Sequence, residues 1–189
     1  MVTNSFSEKV INWYELHGRH DLQWRKAITP YRIWISEIML QQTQVVTVKP
    51  YFKKFIKKYP TLKSIQDASE DEILTLWSGL GFYKRARNIF QTKEIIHSEH
   101  KGRFPKTFEE IIKLPGIGKS TAGAIMSIAH QIPTPILDGN VKRILQRYFS
   151  DGKNIFSEKE LWDLSLSVSN ATNSNLFTQG IMDIGATLC

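Results

Sequence analysis

The segment LPGIGKSTAGAI, residues 114–125, constrains this chain more than any other. Its proline, Pro115, ends a predicted amphipathic helix over Phe108–Leu114, because the proline ring and the missing N–H cannot continue the helical ladder. Gly116 and Gly118 permit the positive φ of a tight turn. A second helix then restarts, so the segment predicts two helices joined by a short glycine turn.

The tip of this hairpin is suited to binding an anion. The second helix begins near Ser120, and the backbone amides at a helix start beside a glycine turn attract negative charge. A glycine-rich turn with no ligand is the alternative. A Walker loop is disfavoured, since position 113 is Lys113 instead of glycine and no strand precedes it. A phosphate of a nucleic-acid backbone fits better than a nucleotide triphosphate.

The charge balance favours the same partner. Lys and Arg number 25 against 18 Asp and Glu, which gives a net charge of +7 and a pI of about 9.5. A basic chain suits a polyanion. No apolar run is long enough for a membrane span, and no secretory leader is visible. The single cysteine excludes an internal disulfide and fits a reducing compartment such as the cytoplasm.

Apolar periodicity predicts an all-α chain of about ten helices. No segment has the alternating pattern of a strand. Further helices are predicted over residues 6–17, 31–44, 50–59, 61–68, 69–76, 84–98, 141–149, 158–171 and 176–188. Ser69 and Glu72 form a capping pattern at the start of one of them.

Histidine does not indicate a metal site. His17 and His20 are three residues apart, as are His97 and His100, but no cluster of acidic or cysteine residues accompanies them. We therefore expect surface or capping histidines.

Two carboxylates are candidates for catalysis. Glu37 lies in the apolar run IWISEIML, and burial favours the protonated form that a general acid needs. A structural Glu paired with an arginine is the alternative. Asp138 precedes a basic helix, where it could be an N-cap, a catalytic group, or both. Asp183, in IMDI, is expected to be structural.

Carboxylates in contrasting environments can divide the work of breaking a glycosidic bond. One protonates the leaving group, and the other faces the oxocarbenium-like sugar. Combined with a phosphate-binding hairpin, this chemistry indicates an N-glycosidic bond in DNA, with the target base extruded from the stack. Gln41 and Gln42, or Phe82 and Tyr83, are candidates to fill the gap, although the aromatic pair could equally belong to the core.

Three motifs together resemble one family. LPGIGKSTAGAI resembles the helix–hairpin–helix of the DNA glycosylase superfamily that includes endonuclease III, the HhH-GPD fold. LDGNVKR, residues 137–143, is similar to the segment that carries its catalytic aspartate. WISEIMLQQTQV, residues 34–45, is similar to the signature of the adenine-specific branch, the MutY type. The resemblance runs from Phe6 to Cys189.

The resemblance implies an adenine DNA glycosylase of base excision repair. Its substrate would be adenine opposite 8-oxoguanine or guanine in double-stranded DNA. Glu37 falls on the proton donor, and Asp138 on the residue that stabilises the sugar cation. Relatives with lyase activity place a lysine where this chain has Ser120, so we expect a monofunctional hydrolase with at most weak lyase activity. We expect a monomer in the bacterial cytoplasm, associated with the nucleoid.

Further site residues follow from the same resemblance. The adenine pocket is expected to include Trp24, Arg25 and Gln179. Many relatives carry tyrosine at position 82, so Phe82 retains stacking without the hydroxyl. The residues expected to contact DNA are Gln41, Gln42, Phe82, Gly116, Gly118, Lys119, Ser120, Asn140 and Lys142.

The implied architecture has two helical lobes. A six-helix barrel with the hairpin would span residues 22–132. The second lobe would combine the N-terminal helix, 1–21, with residues 133–189. Cys189 falls on the first of four cysteines that hold a 4Fe-4S cluster in the family. One thiolate cannot hold such a cluster, so we expect no cluster on this chain, lower stability than a full-length parent, and poor discrimination of 8-oxoguanine.

Two other functions stay open. One is a DNA-binding module without activity. The other is an endonuclease III-like pyrimidine glycosylase with lyase activity, which Glu37 and Ser120 disfavour.

Overall fold

A computed structural model describes residues 2–150, 152, 155–169 and 173–189. Over these residues every regular element is a helix, which confirms the all-α prediction. The helices are α1 Val2–His17, α2 Gln23–Lys26, α3 Pro30–Leu40, α4 Val45–Lys58, α5 Leu62–Ile65, α6 Glu70–Trp77, α7 Lys84–Glu99, α8 Phe108–Ile111, α9 Lys119–Ala129, α10 Gly139–Phe149, α11 Glu158–Ser169 and α12 Ser174–Thr187. The predicted helix 158–171 extends into residues 170 and 171, which lie outside the described part.

The chain forms two compact units. One comprises residues 21–122, and the other combines residues 1–20 with residues 123–189. The division lies within α9, ten residues before the predicted boundary at 132. The second half of α9 packs in the latter unit, where Ser127 Oγ donates to Thr134 O (2.9 Å) and Ser174 Oγ donates to Ser127 O (3.1 Å). No helix in the described ranges is long and apolar enough to cross a bilayer.

The core of unit 21–122 is aromatic. Trp34, Trp77, Phe52 and Phe55 are fully buried. Phe52 and Phe55 lie on the inner face of α4, while the lysines at positions 53, 54, 57 and 58 are exposed on its outer face, as helical periodicity requires. The capping box of Ser69 and Glu72 at α6 is confirmed, since each side chain accepts from the other residue's backbone N–H. Such a cap stabilises a helix by about 1 kcal/mol.

Four predicted helix boundaries in this unit are wrong. The predicted helices 61–68 and 108–114 end early, at Ile65 and Ile111. Helix α3 ends at Leu40 instead of Gln44, because a tight turn at Gln41 and Gln42 follows it. Helix α4 begins at Val45 instead of Pro50. Pro50 lies inside α4, in its second turn, where it removes one helical hydrogen bond and its ring crowds the carbonyl of Val46.

The core of the other unit lies between α1, α10, α11 and α12. Gly180 of α12 allows close approach of α1, since a Cβ there would lie 2.9 Å from the Cβ of Tyr14. Asp183 is fully buried and accepts from Arg19, from the backbone N (2.9 Å), Nε (2.8 Å) and Nη2 (2.5 Å). This pairing agrees with the structural role expected for Asp183.

A glycine contact in the same unit joins α9 to the link before α10. A Cβ at Gly123 would lie 2.3 Å from the carbonyl oxygen of Pro135 and 3.0 Å from Ile136 Cγ2. Any larger residue at Gly123 must therefore displace the link that leads to Asp138.

Candidate functional site

The hairpin forms between α8 and α9, although its first helix ends at Ile111, earlier than predicted. Thr107 caps that helix by accepting from Glu110 N. Gly116 has φ of +78°, as the turn requires, and a Cβ there would lie 2.5 Å from Asn88 Nδ2. Gly118 does not have positive φ, so that part of the prediction is wrong. The space beside Gly118 is open instead, which leaves room for a ligand to approach its backbone.

A tight turn carries the two glutamines after α3. Gln41 has φ −57° and ψ 114°, Gln42 has φ +55°, and Thr43 N donates to Leu40 O (3.2 Å). These values match a type II turn, whose third residue is usually glycine. Gln42 is also exposed, so packing of its side chain does not offset the strain of the left-handed conformation.

A second type II turn follows α6, and glycine occupies its left-handed third position. Ser78 has φ −55° and ψ 122°, the next residue has φ +94°, and Leu80 N donates to Trp77 O (2.9 Å). That next residue is Gly79. The backbone geometry is therefore the same as at Gln41–Gln42, but glycine occupies the left-handed position here.

The glycine loop that follows presents an aromatic side chain. Phe82 has φ of +50° and is 58% exposed, so it is not a core residue. Tyr83 is also partly exposed, and its hydroxyl accepts from Gly79 N (3.4 Å). Phe82 and Gln42 are thus both exposed and both left-handed.

Arg85, which the sequence analysis missed, joins these two loops. Its Nη1 donates to the carbonyl oxygens of Ile38 (3.2 Å), Met39 (2.7 Å) and Gln41 (2.5 Å). Its Nη2 donates to Gly81 O (3.2 Å). The only signal in the sequence is its place on the apolar stripe of α7, four residues before the buried Ile89. Burial lowers the pKa of the Arg85 guanidinium from its ordinary value.

The hairpin is joined to the same assembly. Gln41 Nε2 donates to Gly116 O (3.0 Å), and Thr92 Oγ1 of α7 donates to Pro115 O (3.2 Å). Three loops of unit 21–122, at residues 41–43, 79–83 and 115–118, are therefore linked by side-chain hydrogen bonds. We call them the three-loop surface.

Glu37 lies on α3, one turn before Gln41. It is half-buried, and its neighbours Ser36 and Ile38 are buried. Residues four apart share a helix face, so Glu37 lies on the side of α3 that leads into the three-loop surface.

Asp138 is the N-cap of α10, as predicted. Its Oδ1 accepts from Val141 N (2.8 Å), and its Oδ2 accepts from Asn140 Nδ2 (3.2 Å). Arg143 Nη2 donates to Asn140 Oδ1 (2.8 Å) and to Gly185 O (2.6 Å). Because arginine can only donate, the Asn140 carbonyl must face Arg143 and its NH2 must face Asp138. Both oxygens of Asp138 are thereby fixed in orientation.

The expected pocket residues lie in different units. Trp24 is 4% exposed and packs edge-on against Phe52, with ring centroids 5.3 Å apart. Arg25 is half-buried on the same short helix, α2. Gln179, 3% exposed on α12, donates through Nε2 to Asn175 Oδ1.

The remaining predicted residues are mostly on helix starts. Lys119 is exposed and Ser120 is half-buried in the first turn of α9. Lys142 Nζ pairs with Glu158 Oε1 at 3.4 Å. Cys189 is a free, exposed thiol, and the described residues hold no group of three or more His, Cys, Asp or Glu placed for a metal ion. One thiolate does not fit a four-cysteine cluster.

Comparison with known proteins identifies the family. A family model described as "HhH-GPD superfamily base excision DNA repair protein" matches residues 35–165, a range that includes Glu37, the hairpin and Asp138. The chain belongs to this HhH-GPD superfamily.

Members of the superfamily that resemble the chain in sequence include adenine DNA glycosylases. The one from Buchnera aphidicola subsp. Acyrthosiphon pisum is 52% identical over 187 residues, which is 97% of this chain and 53% of that protein. The one from Homo sapiens is 38% identical over 197 residues, 98% of this chain and 36% of that protein. The chain therefore spans about half the length of the Buchnera protein and about a third of the length of the human one.

Solved structures of the superfamily confirm the predicted fold. A thermostable thymine-DNA glycosylase superposes with a TM-score of 0.87 at 28% identity, covering 98% of this chain and 86% of that one. A trapped endonuclease III–DNA covalent intermediate superposes with a TM-score of 0.75 at 21% identity, covering 94% and 81%. The HhH-GPD fold expected from the motifs is thus the fold observed.

Proposed function

We propose that this protein hydrolyses the N-glycosidic bond of adenine mispaired with 8-oxoguanine or guanine in double-stranded DNA. The observation that carries this proposal is the 52% identity to an adenine DNA glycosylase over 97% of the chain, because the aligned region includes both candidate carboxylates. We also propose that the protein acts as a monomer in the cytoplasm.

Glu37 is the proposed general acid. Adenine leaves readily only when its ring is protonated, and a carboxyl group positioned against the extruded base can deliver that proton. Its half-buried place on α3, one helical turn before the turn of Gln41 and Gln42, supports delivery to a base that has left the stack.

Asp138 is the proposed stabiliser of the sugar cation. As adenine departs with the bonding electron pair, positive charge develops on the sugar, and a fixed carboxylate lowers the energy of that charge. The hydrogen bonds from Val141 N and Asn140 hold both carboxylate oxygens in place. Water then adds to the anomeric carbon and loses a proton, which leaves an abasic site and free adenine.

The same residues support hydrolysis over lyase chemistry. Ser120, in the first turn of α9, cannot form the Schiff base that a lysine would form there. Open space beside Gly118 and the exposed Lys119 provide a place for a backbone phosphate. We therefore propose at most weak lyase activity.

Single-turnover release of adenine from a labelled duplex with one A:8-oxoguanine pair tests the proposal. The parent chain is expected to release adenine, Glu37→Gln to bind the duplex without release, and Asp138→Asn to be nearly as slow. A Glu37→Gln variant with more than a few per cent of parental rate would disprove the acid assignment. Binding without release by the parent would indicate a DNA-binding module, and efficient borohydride trapping on oxidised-pyrimidine DNA would indicate a lyase.

No iron–sulfur cluster is proposed for the 189-residue chain, because Cys189 is its single cysteine. Purified protein should lack the broad visible absorption of a 4Fe-4S cluster. Stoichiometric iron with such a band would contradict this expectation.

A further inference from the structure

We infer that Arg85 is a positioning residue that presents Gln42 and Phe82 to mispaired DNA. The inference rests on the proposed function. It adds to that function the residue that holds Gln42 and Phe82 in place. Arg85 itself is 6% exposed, so it acts through the loops and does not touch the base.

The hydrogen bonds of Arg85 lie at the end of α3 and in the glycine loop. Nη1 donates to Ile38 O, Met39 O and Gln41 O, which are at the C-terminus of α3, and Nη2 donates to Gly81 O. Carbonyls at a helix end have no partner within the helix. A single guanidinium therefore satisfies the end of α3 and fixes the backbone immediately before each exposed residue.

Gln42 and Phe82 both have a strained, left-handed backbone. A left-handed conformation costs a residue with a side chain about 1–2 kcal/mol and persists only where the surroundings impose it. Lys101 and Gln131 also have positive φ, but the residue after each donates back into the helix before it, Gly102 N to Ile96 O and Ile132 N to Met126 O, as is common at helix ends. Gln42 also follows a helix, but it is the third residue of a type II turn, where glycine is usual. Arg85 donates to the carbonyl of the residue before each, Gln41 and Gly81, and so holds the backbone at both positions.

Arginine has the geometry that these contacts need. Its planar fork reaches both loops at once, which the single ammonium of lysine cannot do. The guanidinium also lies 5.2 Å from the centroid of the Phe82 ring and 5.4 Å from that of Trp77. Arg85 thus contacts one of the presented side chains directly and fixes the backbone of the other.

The test compares Arg85→Lys with Arg87→Lys. Arg87, on the same helix, is half exposed and pairs at the surface with Glu70 Oε1 at 3.4 Å, so it controls for a lost arginine on α7. Two quantities are measured at matched fractions of folded protein. They are the ratio of affinities for mispaired and fully paired duplex, and the fluorescence increase of 2-aminopurine that replaces the target adenine.

For Arg85→Lys we expect the affinity ratio to fall about tenfold, as when an anchoring interface contact is lost, and the fluorescence increase to disappear. Arg87→Lys should stay within about twofold, as expected for a surface pair. If Arg85→Lys loses stability while both readouts stay at parental values, Arg85 is merely structural and the inference fails.

A mutant cycle gives a second, independent test. In a Gln42→Ala/Phe82→Ala background, Arg85→Lys should cause no further loss in the affinity ratio, because it acts through those side chains. Additive losses would overturn the inference. If Arg85→Lys does not fold, Gly81→Ala takes its place in the test. A Cβ at position 81 meets nothing within 4 Å, so this substitution strains only the loop backbone. An affinity ratio that stays unchanged in Gly81→Ala would also overturn the inference.

These outcomes separate the inference from the proposed function. If the parent binds mispaired DNA preferentially but releases no adenine, the proposed reaction fails while the affinity ratio still tests Arg85. If the parent releases adenine and Arg85→Lys leaves the ratio unchanged, only the inference on Arg85 fails.

Discussion

Replacing Gln42 by glycine should stabilise the protein relative to replacing it by alanine. Gln42 has φ of +55° and an exposed side chain, so both variants lose little packing. Alanine retains the Cβ and hence the left-handed strain of about 1–2 kcal/mol. Glycine removes that strain but increases the entropy of the unfolded chain by about 0.4–1 kcal/mol. The difference should favour glycine by about 1 kcal/mol.

The same pair of substitutions at an exposed helix position provides the control. Lys54 lies in the middle of α4 with its side chain in solvent, and there glycine is less stable than alanine by about 1 kcal/mol. The sign of the glycine–alanine difference should therefore reverse between positions 42 and 54, with a total difference of about 2 kcal/mol between the two sites.

Urea unfolding, followed by circular dichroism and by tryptophan fluorescence, measures these differences. Coincident transitions from the two probes would show that the midpoints can be compared as free energies. A 1 kcal/mol change corresponds to about 2–4 °C in Tm for a chain of this size. Should glycine be less stable than alanine at position 42 as well, the strain argument for Gln42, and with it one support for Arg85, would be wrong.

Three further changes test separate features. Lys119→Ala should weaken binding to every duplex alike and reduce the slope of log affinity against log salt by about one, measured by fluorescence anisotropy. Asp183→Asn removes the charge of a fully buried carboxylate that accepts from Arg19, whose side chain is 27% exposed, and should lower the free energy of unfolding by about 1–3 kcal/mol in urea titrations. Burial raises the pKa of Tyr31 above its ordinary value of 10.0. The unfolded chain therefore ionises this tyrosine at a lower pH than the folded protein does, and the free energy of unfolding falls as the pH rises above 10. Tyr31→Phe should therefore reduce the loss of stability above pH 10, while costing about 1 kcal/mol at neutral pH through the lost hydrogen bond to Tyr59 O.

Local signals explain why much of the fold was predictable. Helices were correctly expected at two places where a 3.6-residue apolar period coincides with a cap, Ser69 and Asp138. The N-cap role of Asp138 needs only the residues that follow it, so the sequence contains all the required information. The four-residue helix with Trp24 is too short to show a period, and its burial depends on Phe52.

Tertiary contacts explain what the sequence did not reveal. The early end of α3 follows from a type II turn that lacks its usual glycine, and Gln42 gives no signal of that turn. Arg85 is one of many arginines until its four carbonyl partners are known, and those partners come from the end of α3, the turn after it and the glycine loop. The roles of Glu37 and Arg25 depend on a bound base and stay predictions.

The glycine contact between α9 and the link before α10 has a consequence for genetics. Gly123 is not one of the two proposed catalytic residues, yet a methyl group there would push against Pro135 and Ile136, and Asp138 follows two residues later. Alleles at Gly123 should consequently mimic active-site alleles in a mutator screen, although the altered residue is 15 positions away in the chain. Shortening Ile136 should not suppress such alleles, because it relieves the 3.0 Å contact with Cγ2 and leaves the 2.3 Å contact with the Pro135 carbonyl oxygen.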